Sequence, residues 1–291
     1  MSLPQEVVSK TRVNIQAITD VGMARTHNED NFIVCPDLSE KRWYLSDQPA
    51  VLPTRGCLLV VADGMGGTNA GEIASEIAVD TIKRSFDALD IGYFPQDHEI
   101  QEQLQQVIMA AHKAIVAAAA QNQEYAGMGT TVVVGWVLPH KAYFGWVGDS
   151  RAYRWRKSIG LQLLTDDHSL VWEWVKEGKL TPDEADVHPN SNIITQSLGD
   201  AGRHPVPEVT SCSLEPGDRI LLCSDGLNNM VNHTTIAHLL ASNGKLANAC
   251  QELIRTANDA GGADNVTLVA LEVLKSRAKK SVLNLFGLLS V

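Results

Sequence analysis

Residues 131–156 read TVVVGWVLPHKAYFGWVGDSRAYRWR. Three β-branched and aromatic runs, Thr131–Leu138, Ala142–Val147 and Ala152–Arg156, are separated only by Pro139-His140-Lys141 and by Gly148-Asp149-Ser150-Arg151. Links this short turn hairpins, because a parallel crossover needs a dozen residues or more. The middle of the chain is therefore an antiparallel sheet. The same enrichment predicts strands at Val13–Thr19, Asn31–Val34, Leu58–Ala62, Leu161–Leu164, Glu208–Ser213, Arg219–Cys223 and Val266–Val273.

Helical periodicity comes in pairs. Ala70–Leu89 sets Ile73, Ala74, Ile77, Ala78, Ile82 and Phe86 on one face, and Glu99–Ala120 does the same with Leu104, Val107, Ala111 and Ile115. A second pair is expected at Thr234–Ser242 and Ala247–Asp259. Paired helices around clustered strands make an α+β pattern with helices packed outside sheets. Two stretches look like additions to that core. Cys35–Gly56, rich in Pro, Asp and Ser, is a long excursion between two strands. Leu170–Ile193 carries a short helical stretch, Val171–Gly178, then a Pro-containing loop, and lies between two polar motifs where it would overhang a site.

The 291 residues are 44% hydrophobic with a net charge of −10, enough apolar material for a core and the wrong sign for a nucleic-acid partner. No run of about 18 apolar residues exists to span a membrane, and Met1–Lys10 lacks the apolar segment of a secretory signal. Cys35, Cys57, Cys212, Cys223 and Cys250 are scattered without a CxxC pair, as expected of reduced thiols in a cytoplasmic protein rather than of a zinc site. Lys275–Val291, basic and then apolar, is expected to be a docked or frayed terminal helix.

Four aspartates stand at the edges of predicted buried strands. Asp63 precedes Gly64-Met65-Gly66-Gly67, Asp225 precedes Gly226, Asp149 follows Gly148, and Asp264 precedes Asn265. One Asp-Gly after a strand is a turn. Four on one antiparallel core would repel and rise in pKa unless hard divalent cations, Mg²⁺ or Mn²⁺, joined them. Gly64 would let its carbonyl approach such an ion closely. Arg25, five residues before Asp30, either grips a phosphate bidentately or neutralises the acidic cluster. His168, within Thr165–Ser169, is either an acid or ligand, or a local structural residue. No Cys-x₅-Arg loop is present, and Gly66–Gly71 lacks the Lys-Ser/Thr of a nucleotide-phosphate loop.

Taken in order, Asp20–Asn31, Val61–Gly67, Gly129-Thr130-Thr131, Gly148–Arg151, Leu164–Ser169, Ile194–Gly199, Leu221–Leu227 and Gly261–Thr267 resemble the metal-dependent type 2C protein phosphatases, the PPM family, in their bacterial form. The resemblance covers residues 12–273 and leaves 274–291 as a tail. It implies a four-layer α-β-β-α sandwich of two antiparallel sheets flanked by helix pairs. It also implies hydrolysis of phosphoserine and phosphothreonine in proteins by a metal-activated water, without a covalent phosphoenzyme. About two or three Mg²⁺ or Mn²⁺ ions would take part. By motif, Asp63, the Gly64 carbonyl, Asp225 and Asp264 would ligate the metal pair, Asp30 would hold metal-bound water, and Arg25 would bind the phosphate. Asp149 would share a third ion with Asp225, unless it is simply a hairpin-turn residue, and 170–193 would be the flap. Eukaryotic members often carry histidine, a proposed general acid, where this chain has Met65, which cannot transfer protons. A phosphate-sensing protein of the same fold and a small-phosphomonoester hydrolase are the alternatives, and a nuclease is disfavoured by the acidic charge. The expected partner is a phosphorylated protein, and the expected state a monomer.

Overall fold

The computed structural model describes residues 11–45, 48–66, 70–89, 96–242 and 244–274, so the expected terminal helix at Lys275–Val291 lies outside them. Its strands form two antiparallel sheets. In the first, the order is β3 (Ala50–Val51), β1 (Arg12–Asp20), β12 (Val266–Leu274), β11 (Arg219–Cys223), β8 (Arg151–Arg156) and β9 (Gly160–Leu163). In the second it is β10 (Glu208–Ser213), β7 (Lys141–Val147), β6 (Val132–Val137), β4 (Cys57–Met65) and β2 (Asp30–Cys35), with β5 (Gly129–Thr130) also pairing with β4. Of the hairpins expected in residues 131–156, the one at Pro139–Lys141 is present, but Gly148–Arg151 does not turn a hairpin, because β7 and β8 lie in different sheets. β6 pairs with β7, whereas β8 crosses to the other sheet beside β11.

Alternation along the central strands explains the layers. Leu58, Val60 and Ala62 of β4 face a core shared with α1 (Ala70–Ala88) and α2 (Asp97–Gln121). Cys57, Leu59 and Val61 point the other way, into a core between the sheets with Phe144, Ile220, Leu222, Val269 and Leu271. On the far side, Leu221, Cys223, Leu268 and Ala270 pack against α6 (His233–Ala241) and α7 (Leu246–Asp259). A strand buried on both faces needs apolar residues at every position, which is why β4 and β11 read as unbroken apolar runs. The result is the expected four-layer α-β-β-α sandwich. Each fully buried Leu, Ile or Val contributes about 1.5–3 kcal/mol, so the three cores dominate the stability.

The additions behave differently from the core. Cys35–Gly56 contains β3, which pairs with Arg12 and Val13 at the edge of the first sheet. The 170–193 segment holds α3 (Leu170–Lys176) and also α4 (Pro182–Asp186), where the sequence suggested only a loop. α4 is set by a capping box: Thr181 and Glu184 cap each other's backbone N–H, and Pro182 occupies the first turn. Among the described residues, no helix is long and apolar enough to cross a membrane.

Candidate metal centre

The acidic residues gather at one end of the sandwich through strand register. Asp30 opens β2 directly opposite Asp63 on β4. Asp63 therefore lies inside the sheet, not after it: β4 runs on to Met65 because Gly64 and Met65 pair with Thr130 and Gly129. A side chain on Gly64 would place its Cβ 2.2 Å from the Gly71 carbonyl oxygen and 2.5 Å from that of Glu29, so only glycine lets β2, β4 and α1 close here. From the other sheet, β11 ends at Cys223, and Ser224 leads Asp225 into the start of α5 (Asp225–Asn228). Asp264 stands just before β12, and Asp149 lies in the turn by which the chain crosses from β7 in one sheet to β8 in the other, after Gly148, whose φ is +108°.

Hydroxyls and amides fix these carboxylates. The Thr131 hydroxyl accepts from the Asp63 N–H at 3.3 Å and lies 2.7 Å from the Ser150 hydroxyl, next to Asp149. Ser224 donates to Asp30 Oδ2 at 2.7 Å, and the Asn229 amide donates to Asp225 Oδ2 at 3.0 Å. Asn265, buried, accepts the Glu29 N–H and donates to the Val21 and His27 carbonyls, stitching the loop that carries Arg25 onto the loop that carries Asp264. The Arg25 guanidinium is half-exposed and donates to Asp264 Oδ2 at 2.8 Å. Both sequence readings of Arg25 thus survive: it neutralises an acid of the cluster, and it faces the open side.

The electrostatics are those of crowded carboxyls. Burial, and then the charges of neighbouring aspartates, pushes Asp63 and Asp149 well above the usual carboxylate range. Burial and Asp264 raise Asp225, and Asp30 is raised to about 7 by burial despite the hydrogen bonds that favour its charge. Asp225 adds to the rise of Asp63, while Asp63 offsets part of the rise of Asp225. Among the described residues, buried Asp149 Oδ1 and Asp225 Oδ1 have no hydrogen-bond partner. Among the described residues no three His, Cys, Asp or Glu side chains already converge as a closed ligand set. The donors are nevertheless all hard oxygens, two of them orphaned among like charges, and that chemistry fits a divalent cation with water completing its shell.

His168 is structural. Its Nδ1 accepts the Gly148 N–H at 3.2 Å, its Nε2 faces Glu208 at 3.2 Å, and its ring stacks on Trp146. Burial lowers its pKa, which suits a neutral ring donating from Nε2. Glu29 was not singled out from the sequence. Its carboxyl is raised by burial, feels both Arg25 and Asp264, and accepts the Gly71 N–H. Its position beside Asp30 in Asn28-Glu29-Asp30 was the available signal.

The chain matches the protein phosphatase 2C family model over residues 47–269. It is 36% identical over 267 residues to protein phosphatase PhpP of Streptococcus pneumoniae, covering 92% of this chain and 100% of that protein. Against serine/threonine phosphatase Stp of Listeria monocytogenes it is 35% identical over 254 residues, or 87% of this chain and 93% of Stp. Among solved structures, the Streptococcus agalactiae serine/threonine phosphatase superposes with a TM-score of 0.76 at 36% identity, covering 90% of this chain and 99% of that one. The catalytic domain of PstP in complex with two manganese ions gives a TM-score of 0.72 at 30% identity, covering 91% of this chain and 100% of that one. The chain belongs to the protein phosphatase 2C family. Within it, this is a bacterial-type, metal-dependent enzyme that removes phosphate from serine and threonine residues of proteins.

Proposed function

We propose that Asp63, Asp225, Asp264 and the Gly64 carbonyl hold a pair of Mg²⁺ or Mn²⁺ ions, with Asp30 orienting the water between substrate and metal. The pairing of Asp30 with Asp63 across the sheet, beside an orphaned Asp225 oxygen, carries this reading. Bound cations would supply a water of lowered pKa and a clamp on the phosphoryl oxygens. The chain's own residues do the rest. Ser224 fixes Asp30 Oδ2, and with it the orientation of the carboxylate towards that water. Arg25 grips the substrate phosphate, exchanging its ion pair with Asp264 for a bidentate one. Asp149 and Asp225 hold a further cation, a role supported by the unpartnered oxygen on each.

Neither Met65 nor His168 serves as general acid: the one has no proton to give, and the other has both ring nitrogens turned to Gly148 and Glu208. The catalytic domain spans 12–273, the 170–193 segment is a flap that meets the protein substrate, and the enzyme works as a cytoplasmic monomer. Buried free thiols at Cys35, Cys57, Cys223 and Cys250 suit a reducing compartment. Calorimetric titration with Mn²⁺ tests the ligand set. Asp63→Asn, Asp225→Asn and Asp264→Asn should each weaken binding by about tenfold or more. Parental affinity in all of them would remove these residues from the metal centre.

A further inference from the structure

Arg151 follows Asp149 by two positions, opens β8, and is buried. Its Nε and Nη2 grip both oxygens of Asp167 at 2.7–3.1 Å, and its Nη1 donates to the Tyr153 hydroxyl at 3.3 Å. Nη2 also donates to Asp186 Oδ1, on α4 of the overhanging segment, at 2.8 Å. The guanidinium carbon stands 5.8 Å from the centre of the Trp172 ring on α3. One side chain therefore touches β8, the turn that carries Asp167, and both helices of the overhang.

Next to this contact the overhang stands away from the core. A cavity of about 390 Å³ has Trp172, Pro182 and Asp183 on one wall and Tyr153, Leu163 and His233 on the other. Arg151 and Asp186 lie at its edge and also line the small cleft that leads to Asp149 and Asn229. The polar link between α4 and the catalytic end of the sandwich is thus concentrated on one ion pair.

We propose that the Arg151–Asp186 pair is a positioning tether that sets the overhang above the metal centre, and that it governs turnover of protein substrates but not of small phosphates. The proposal rests on the reading of the metal centre given above. Charge balance makes the two carboxylates unequal. Asp167, with 8% of its side chain exposed, already neutralises the guanidinium, whereas Asp186 is 32% exposed and supplementary. Losing Asp186 frees α4 without leaving a buried charge unpaired, so the Asp149 turn and the metal ligands stay as they are. A phosphoprotein reaches past the phosphate and meets the overhang; a small aryl phosphate does not.

The test is steady-state kinetics of the full chain in excess Mn²⁺, comparing a phosphothreonine peptide with p-nitrophenyl phosphate, for the parent, Asp186→Ala and Asp186→Glu. Asp186→Ala should raise KM for the peptide about fivefold, while kcat/KM for the aryl phosphate stays within about twofold. Asp186→Glu should recover most of the peptide KM. Amide hydrogen exchange should accelerate in α3 and α4 of Asp186→Ala and remain unchanged in β8. An unchanged peptide KM, equal losses on both substrates, or exchange that rises equally in β8 would overturn the tether. The reading of the metal centre fails separately, through aryl phosphate turnover by the parent in chelator.

Discussion

Replacing Asp30 by Asn isolates the electrostatic cost that the acidic centre carries when metal is chelated. Burial is the main cause that raises Asp30 from 3.8 to about 7, with repulsion from Asp225 and Asp264 adding to it. A carboxyl raised in this way binds its proton more tightly in the folded chain than in the unfolded one. Its stabilising share is complete below the unfolded pKa and drains away as pH climbs through the folded one. A rise of about three pH units is worth about 4 kcal/mol, of which about 1.5 is already lost by about pH 5. Residual contact of the site with water trims the remainder to about 2 kcal/mol between about pH 5 and pH 8. Asn keeps an oxygen for the Ser224 hydroxyl and cannot ionise. Burial holds His112 and His168 below their ordinary range, which acts with the opposite sign, but both proteins share those groups and the difference cancels them. Urea unfolding in EDTA should therefore show the variant gaining about 2 kcal/mol on the parent over that interval. In excess Mn²⁺ the advantage should vanish or reverse, because the ionised carboxylate then gains from the bound metal. A gap that fails to widen with pH in EDTA would refute the reasoning.

Asp149→Ala should leave the fold intact and lower turnover of a phosphothreonine peptide more than that of an aryl phosphate, whose leaving group needs no proton; Mn²⁺-soaked crystals of the variant should hold one ion fewer than the parent. Arg25→Ala should relax product inhibition by inorganic phosphate while Mn²⁺ affinity changes little, and unchanged inhibition would restrict Arg25 to its ion pair with Asp264. Arg151→Ala should cost about 3–5 kcal/mol in urea unfolding, because it strands the buried carboxylate of Asp167. Restoring a neutral pocket with Arg151→Met and Asp167→Leu together should recover most of that loss.

What the sequence disclosed follows from which physics is local. Two-sided burial wrote β4 and β11 as continuous apolar runs, and a short link wrote the hairpin around Pro139–Lys141. Most strand and helix ends fell within about two residues of their observed places, but β4 runs three residues past the expected Ala62 to Met65. The sheet to which β8 belongs was not legible, since a short link that could turn a hairpin does not reveal that the next strand leaves for a different partner. α4 was readable in retrospect from Thr181-Pro182-Asp183-Glu184, a capping signal with too short an apolar pattern behind it to draw notice. The site divides in the same way. Asp63, Asp149, Asp225 and Asp264 announce themselves as strand-end acids, but their supporting shell does not. Ser224 and Asn265 act through contacts that join residues 194 to 244 positions apart, and no local pattern encodes those. The Arg151 contact with Asp167 and Asp186 is invisible until the overhang is placed.

The central claim is that phosphate release depends on cations held by Asp63, Asp225 and Asp264. The direct measurement is phosphate release from a phosphothreonine peptide by the parent and by Asp225→Asn, first in EDTA and then across a Mn²⁺ titration. The account predicts no release by either protein in EDTA, full recovery of the parent with Mn²⁺, and a variant whose rate stays at least about a hundredfold lower at saturating metal. Turnover by the parent in EDTA, or parental turnover by Asp225→Asn, would contradict it.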